Sequence, residues 1–152
     1  MGCDIHLFVE VKKDGKWINA DKWTKNPYFE KYPEDEQEFE ISRENRFYSD
    51  GRNYNLFTAL CGVRSHNFIS NPPRISDPKG VPQDVSDKVK EEILRWASDG
   101  HSHNWNTLEE LKSFDWSEFG QTTKAFTDEV LPKMESLKAE NEDVRIVYFF
   151  DN

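Results

Sequence analysis

The first twelve residues constrain the chain most. Cys3, Ile5, Leu7, Val9 and Val11 alternate with Asp4, His6, Phe8, Glu10 and Lys12. Successive side chains of a strand point to opposite sides, so this stretch is a strand with one apolar face bound for a core. The other face carries Asp4 and His6 side by side on rigid backbone. Asp14-Gly15 follows. That pair tolerates the positive φ of a two-residue hairpin turn, which places Trp17-Ile18 and Trp23 on a returning strand. At the far end, Val144 to Phe150 is apolar on nearly both faces. This is the pattern of a central strand, and it is expected to pair near the first.

Helices are expected between the two ends. Gly51 to Arg64 carries Tyr54, Phe57, Leu60 and Cys61 at helical spacing, with Asp50 or Asn53 to cap it and Gly62 suited to a left-handed end. Ser86 opens a second helix, with Val89, Ile93, Trp96 and Ala97 on one face and Gly100 closing it. Thr107 and Glu110 form a capping box for a short third helix. A longer one covers roughly 121–140, where Pro132 either kinks it or restarts it at a first-turn position. The 65–82 stretch holds Pro72, Pro73, Pro78 and Pro82, so long a connection that it reads as a functional or mobile loop. Residues 113–120 read as aromatic-rich irregular chain. The class is α+β: one domain over 1–152, a mainly antiparallel sheet with the N-terminal hairpin and the C-terminal strand, and three to four helices packed on one face.

Composition excludes several roles. A formal net charge of -9 does not supply the clustered Lys and Arg that bulk nucleic-acid binding needs. No apolar run approaches the ~20 residues of a membrane span, and the opening residues lack the basic and apolar regions of a secretory signal. Met1-Gly2-Cys3 opens like a myristoylation site, but His6 stands where that signal wants Ser or Thr. Two cysteines, Cys3 and Cys61, give no disulfide framework; both fall on apolar faces, as small buried hydrophobes. The acidic run Glu34 to Glu38 reads as solvated chain, with no calcium-loop spacing. No thiol-nucleophile signature, P-loop or dinucleotide fingerprint appears.

Chemistry concentrates in few places. The four histidines are His6, His66, His101 and His103. Asp4/His6 and His101/His103 share an i, i+2 arrangement, so in extended chain each pair points to one side. Two such pairs facing each other would offer Asp plus three His, a donor set for zinc, manganese or iron(II) that activates a bound water. Against this, a His-Ser-His after a helix-ending Gly is also the composition of an exposed loop. Arg52 and Arg64, with Asn53 and Tyr54 nearby, suit phosphate or carboxylate recognition, although an arginine more often pairs with a neighbouring acid. Trp105 is a core or pocket-wall residue, and His66 ranks last because it sits in the proline-rich loop.

The blocks Met-Gly-Cys-Asp-Ile-His, Gly-Arg-Asn-Tyr-x-Leu-Phe-x-x-Leu-x-Gly-Val-Arg, Gly-Val-Pro-x-Asp-Val-Ser and His-Ser-His-x-Trp-x-Thr-Leu-x-Glu-Leu resemble a family of small uncharacterised bacteriophage and prophage proteins. The likeness spans Met1 to Leu111. It implies a phage or prophage origin and a bacterial cytoplasm rather than a reaction, and it sets Asp4, His6, Arg52, Asn53, Tyr54, Arg64, His101, His103 and Trp105 in shared motif blocks.

Two expectations follow. The first is a metal-dependent, phosphodiesterase-like hydrolase of a small nucleotide or other anionic substrate. Asp4, His6, His101 and His103 would hold zinc or manganese, and His103, Arg52 and Arg64 would serve the chemistry. The second is a non-enzymatic phage binding protein that sequesters a nucleotide-type ligand or inhibits a host protein, with Asn53, Tyr54 and Trp105 lining its pocket.

Overall fold

In a computed structural model, which describes residues 2–152, β1 (Asp4–Lys13) and β2 (Lys16–Asn19) form the expected hairpin. Lys13 pairs with Lys16, and Asp14 and Gly15 have φ of 50° and 76°, as the tight turn requires. Trp23 lies beyond β2, because that strand ends at Asn19. A two-stranded ribbon follows, β3 (Thr24–Lys25) with β4 (Phe39–Glu40). The remaining strands are β5 (Gly100–Thr107) and β6 (Asp143–Asp151), and the main sheet is antiparallel in the order β2-β1-β6-β5. The C-terminal strand is thus central and pairs with the first along its length, from Asp4 opposite Asp151 to Lys12 opposite Asp143.

Four α-helices accompany the sheet: α1 (Tyr54–Cys61), α2 (Asp87–Trp96), α3 (Leu108–Ser113) and α4 (Leu131–Glu140). Asn53 caps α1 by accepting the Leu56 amide, and Gly62 ends it at φ 79°. The Thr107–Glu110 capping box starts α3. The expected long helix over 121–140 is broken: a 3-10 segment runs to Thr123, a π-turn spans Phe126–Val130, and α4 begins with Pro132 in its first turn, where a missing N–H costs nothing. Ser86 stands at the N-cap of α2, but its backbone amide, not its hydroxyl, is used; the amide donates to Glu10 (2.8 Å).

The helices do not share one face. Leu56, Phe57 and Leu60 of α1, Leu108 and Leu111 of α3 and Met134 of α4 pack with Val9, Val11, Ile146, Tyr148 and Phe150. On the opposite face Val89 of α2 joins Phe8, Val147 and Phe149, with Trp23, Trp96 and Trp105 around them. The cause is β6 itself: Val144 to Phe150 are all buried, so both of its faces need cover. Glu10 and Arg145 lie on the α2 face as a buried ion pair (2.7 Å), and Arg145 also reaches Asp84.

The proline-rich stretch is tied down. Ile75 N–H donates to Ala59, Lys79 N–H to the Asn104 side chain and Gly80 N–H to the His103 carbonyl. Asn104 also donates to Ser76 and to Tyr148, whose hydroxyl donates to Asn106. The loop thereby covers the free side of β5, which would otherwise be an open edge. No helix among the described residues is long and apolar enough to cross a membrane.

Candidate active site

The motif blocks meet at one end of the sheet, where β1 and β5 begin and β6 finishes. Asp4 is held by a forked contact with Arg52, Nε to Oδ1 at 2.8 Å and Nη2 to Oδ2 at 3.3 Å. The guanidinium keeps the Asp4 carboxyl below the usual range, both groups being about half exposed. Gly2 makes room for it, since a Cβ there would fall 2.0 Å from Arg52 Nη1. Tyr54 OH accepts the Cys3 amide (3.1 Å), and the Arg64 guanidinium lies 5.0 Å from the Tyr54 ring centre and beside the Cys3 thiol. Asn53 is occupied by helix capping and by donating to Asp50 and to the Thr122 carbonyl. Arg52, Tyr54 and Arg64 therefore fasten the N-terminal segment to the α1 region, while Asn53 ties the start of α1 to Asp50 and Thr122.

The histidines part company. His101 pairs with Phe150 but Asn104 pairs with Tyr148, a register shift at a β-bulge where Ser102 takes φ 55°. An extra residue inverts the alternation, so the i, i+2 expectation fails and His101 and His103 lie on opposite faces. His101 rests on Phe150 and bonds to Ser102 and Asn152 (3.0 Å each). His103 stacks on Phe149 on the other face, with ring centres 5.3 Å apart. Its Nε2 is buried with no hydrogen bond among the described residues; burial first, then the His101 charge, lowers its pKa. His6 stacks on Phe149 from the β1 side at 5.0 Å. Phe149 thus separates His6 from His103 by two strand spacings, about 10 Å. Asp4, His6, His101 and His103 do not converge, and among the described residues no three His, Cys, Asp or Glu side chains are grouped to hold a metal ion. Zinc or manganese does not fit that foursome, because His101 and His103 lie on opposite faces of the sheet. Trp105 sits under the Lys79 ammonium, 3.7 Å from the ring centre, away from His6.

A different pair does form. His6 Nε2 is hydrogen-bonded to Asp151 Oδ2, and the ring is packed between Phe149 and Trp96. An ionised Asp151 accepts from Nε2–H, which leaves the lone pair of the neutral ring on Nδ1. That nitrogen makes no hydrogen bond among the described residues.

His6, Asp151 and Asp4 line a cleft of about 650 Å³ between the α2 face of the sheet and the 37–51 segment. Trp23, Trp96, Phe47 and Tyr48 give it aromatic walls, and Arg43 and Arg46 bring positive charge. Glu92 in its wall is neutralised by Arg95 (3.0 Å) and accepts from Gln37. Asp21 also lines it; burial pushes its carboxyl up to about 6. A second hollow, of about 630 Å³ between α3 and α4, is flanked by the ion pairs Lys112–Glu135 and Lys138–Glu109 and holds no histidine.

Asp151, Asp21, Arg43, Arg46 and Trp96 line the cleft without having been singled out from the sequence as candidate site residues. Asp151 alone had a usable signal: a C-terminal strand antiparallel to the first must bring its last residues to Asp4 and His6.

Comparison with protein-family models, with curated proteins and with solved structures returned no match.

Proposed function

We propose that the cleft is the active site of a phosphodiesterase-like hydrolase of a small nucleotide-sized substrate, with His6 as its proton-accepting group. The observation that carries this reading is the His6–Asp151 pair at the cleft. A carboxylate that fixes one ring nitrogen orients the imidazole and stabilises the cation formed when the other takes a proton. Arg43 and Arg46 match phosphate oxygens, and the aromatic walls suit a nucleobase. As the motif blocks suggest, the setting would be a phage or prophage protein working in a bacterial cytoplasm.

The alternative, a binding protein that holds a nucleotide-type ligand or a host protein without turnover, is favoured by one detail. Arg52, expected to meet substrate charge, is engaged with Asp4.

The test is a titration with thymidine monophosphate followed by tryptophan fluorescence, since Trp23 and Trp96 wall the cleft. Saturable quenching that weakens at least tenfold in the Arg43→Ala/Arg46→Ala variant supports this site. No response, with or without added zinc or manganese, counts against both readings of the cleft as a nucleotide site. A response without hydrolysis of any nucleotide diester leaves the binding reading.

A further inference from the structure

We propose that Asp21 is the second proton-transfer group of the cleft, the donor to the leaving oxygen while His6 accepts from the attacking water. This rests on the reading of the cleft as a hydrolase site.

Asp21 follows β2 and turns back on β1. Its Oδ2 accepts from Val9 N–H (3.0 Å) and from Asn19 Nδ2 (2.8 Å), and Asn19 Oδ1 in turn accepts from Trp23 Nε1 (2.8 Å). With both donors on Oδ2, a proton belongs on Oδ1, which makes no hydrogen bond among the described residues. A carboxyl whose pKa is pushed up to about 6 keeps that proton in a useful fraction near neutrality. Burial is the main cause and Glu10 adds to it. The other charged groups on this cleft are Asp4, Asp151, Glu40, Glu92, Arg43 and Arg46, with Lys88 across the Trp23 ring.

His6 and Asp21 both line the cleft, where the His6 ring tips toward Asp151 and Asp21 is anchored at the Val9 amide, three residues along β1.

Water oxygen bonds to phosphorus and His6 Nδ1 takes its proton. The bond from phosphorus to the leaving oxygen breaks, its electron pair stays on that oxygen, and Asp21 Oδ1 supplies the proton. The proton on His6 and the vacancy on Asp21 then re-equilibrate through solvent, so one water is consumed per turnover.

A leaving-group comparison tests this on the full-length protein. Wild type and Asp21→Asn are assayed on the p-nitrophenyl and the methyl ester of thymidine monophosphate. Nitrophenolate departs without a proton, whereas an alkoxide needs one. The variant is expected to lose about 100-fold more rate on the methyl ester than on the nitrophenyl ester. The wild-type methyl-ester rate is expected to fall as pH rises through about 6, a limb absent in the variant. Equal losses on the two esters, or none, overturn the role of Asp21 while the His6 reading stands. A wild type inactive on both esters overturns the hydrolase reading and this inference with it.

Discussion

His6 lies opposite Phe149 in the β1–β6 ladder, yet its ring nitrogen bonds diagonally to Asp151, the residue opposite Asp4. Diagonal partners in an antiparallel pair are within reach of long or aromatic side chains. The arrangement predicts what Asp151→Asn does. An amide offers an N–H as well as a carbonyl, so the tautomer of His6 is no longer fixed. The fold should persist, and turnover should drop by about 10²-fold or more. Nitrogen NMR of the histidine ring should show the Nε2–H form in wild type and a mixed population in the variant.

Asp21 predicts a stability that depends on pH. Its folded pKa of about 6 lies above the ordinary 3.8, so the folded state binds this proton more tightly. The stabilisation is complete below about 3.8 and is lost as pH rises through about 6. At pH ~8 the buried charge costs roughly 3 kcal/mol. Asp21→Asn should therefore be more stable than wild type at pH ~8, by up to that amount, and the gain should fade toward pH ~4. Urea melts at the two pH values check this.

Gly100 predicts a steric effect at the bulge. A Cβ there would meet Phe149 at 3.1 Å and His103 Nε2 at 3.4 Å. Gly100→Ala should push His103 off Phe149 and destabilise by about 1–3 kcal/mol, read as a lower Tm. The cost should shrink in Gly100→Ala/His103→Ala, where one of the two neighbours is cut back.

The Glu10–Arg145 pair predicts non-additivity. Both side chains are buried, and Glu10 also receives the Ser86 amide. Arg145→Met leaves an unpaired buried carboxylate and should cost about 3–5 kcal/mol. Adding Glu10→Gln should recover much of that loss, which denaturant melts of the two variants would show.

The strand frame of the fold was legible because its signals are periodic. Cys3 to Lys12 alternates, Asp14-Gly15 dictates a turn, and Val144 to Phe150 is apolar on both sides. The same doubly apolar strand required a second covering layer, so α2 on the far face was implicit in it. The bulge at Ser102 was not legible. Nothing in His-Ser-His marks where one residue adopts positive φ, and that single conformation sends His101 and His103 to opposite faces. Asp4 and His6 do share one face of β1 and line the cleft, because a strand fixes side-chain direction. Arg52 and Arg64 were credited with ligand contacts, yet their guanidiniums hold Asp4 and pack beside Cys3 and Tyr54. Asp21, Arg43 and Arg46 come from irregular chain, where no period assigns a direction.

The role proposed for His6 is to move a proton in this cleft. Turnover of the p-nitrophenyl ester of thymidine monophosphate by wild type and by His6→Asn, both shown folded by circular dichroism, tests it most directly. Measurable wild-type turnover and a loss of about 10²–10⁴-fold in the variant are expected. A variant as active as wild type would contradict it, as would a wild type inactive with and without added zinc or manganese.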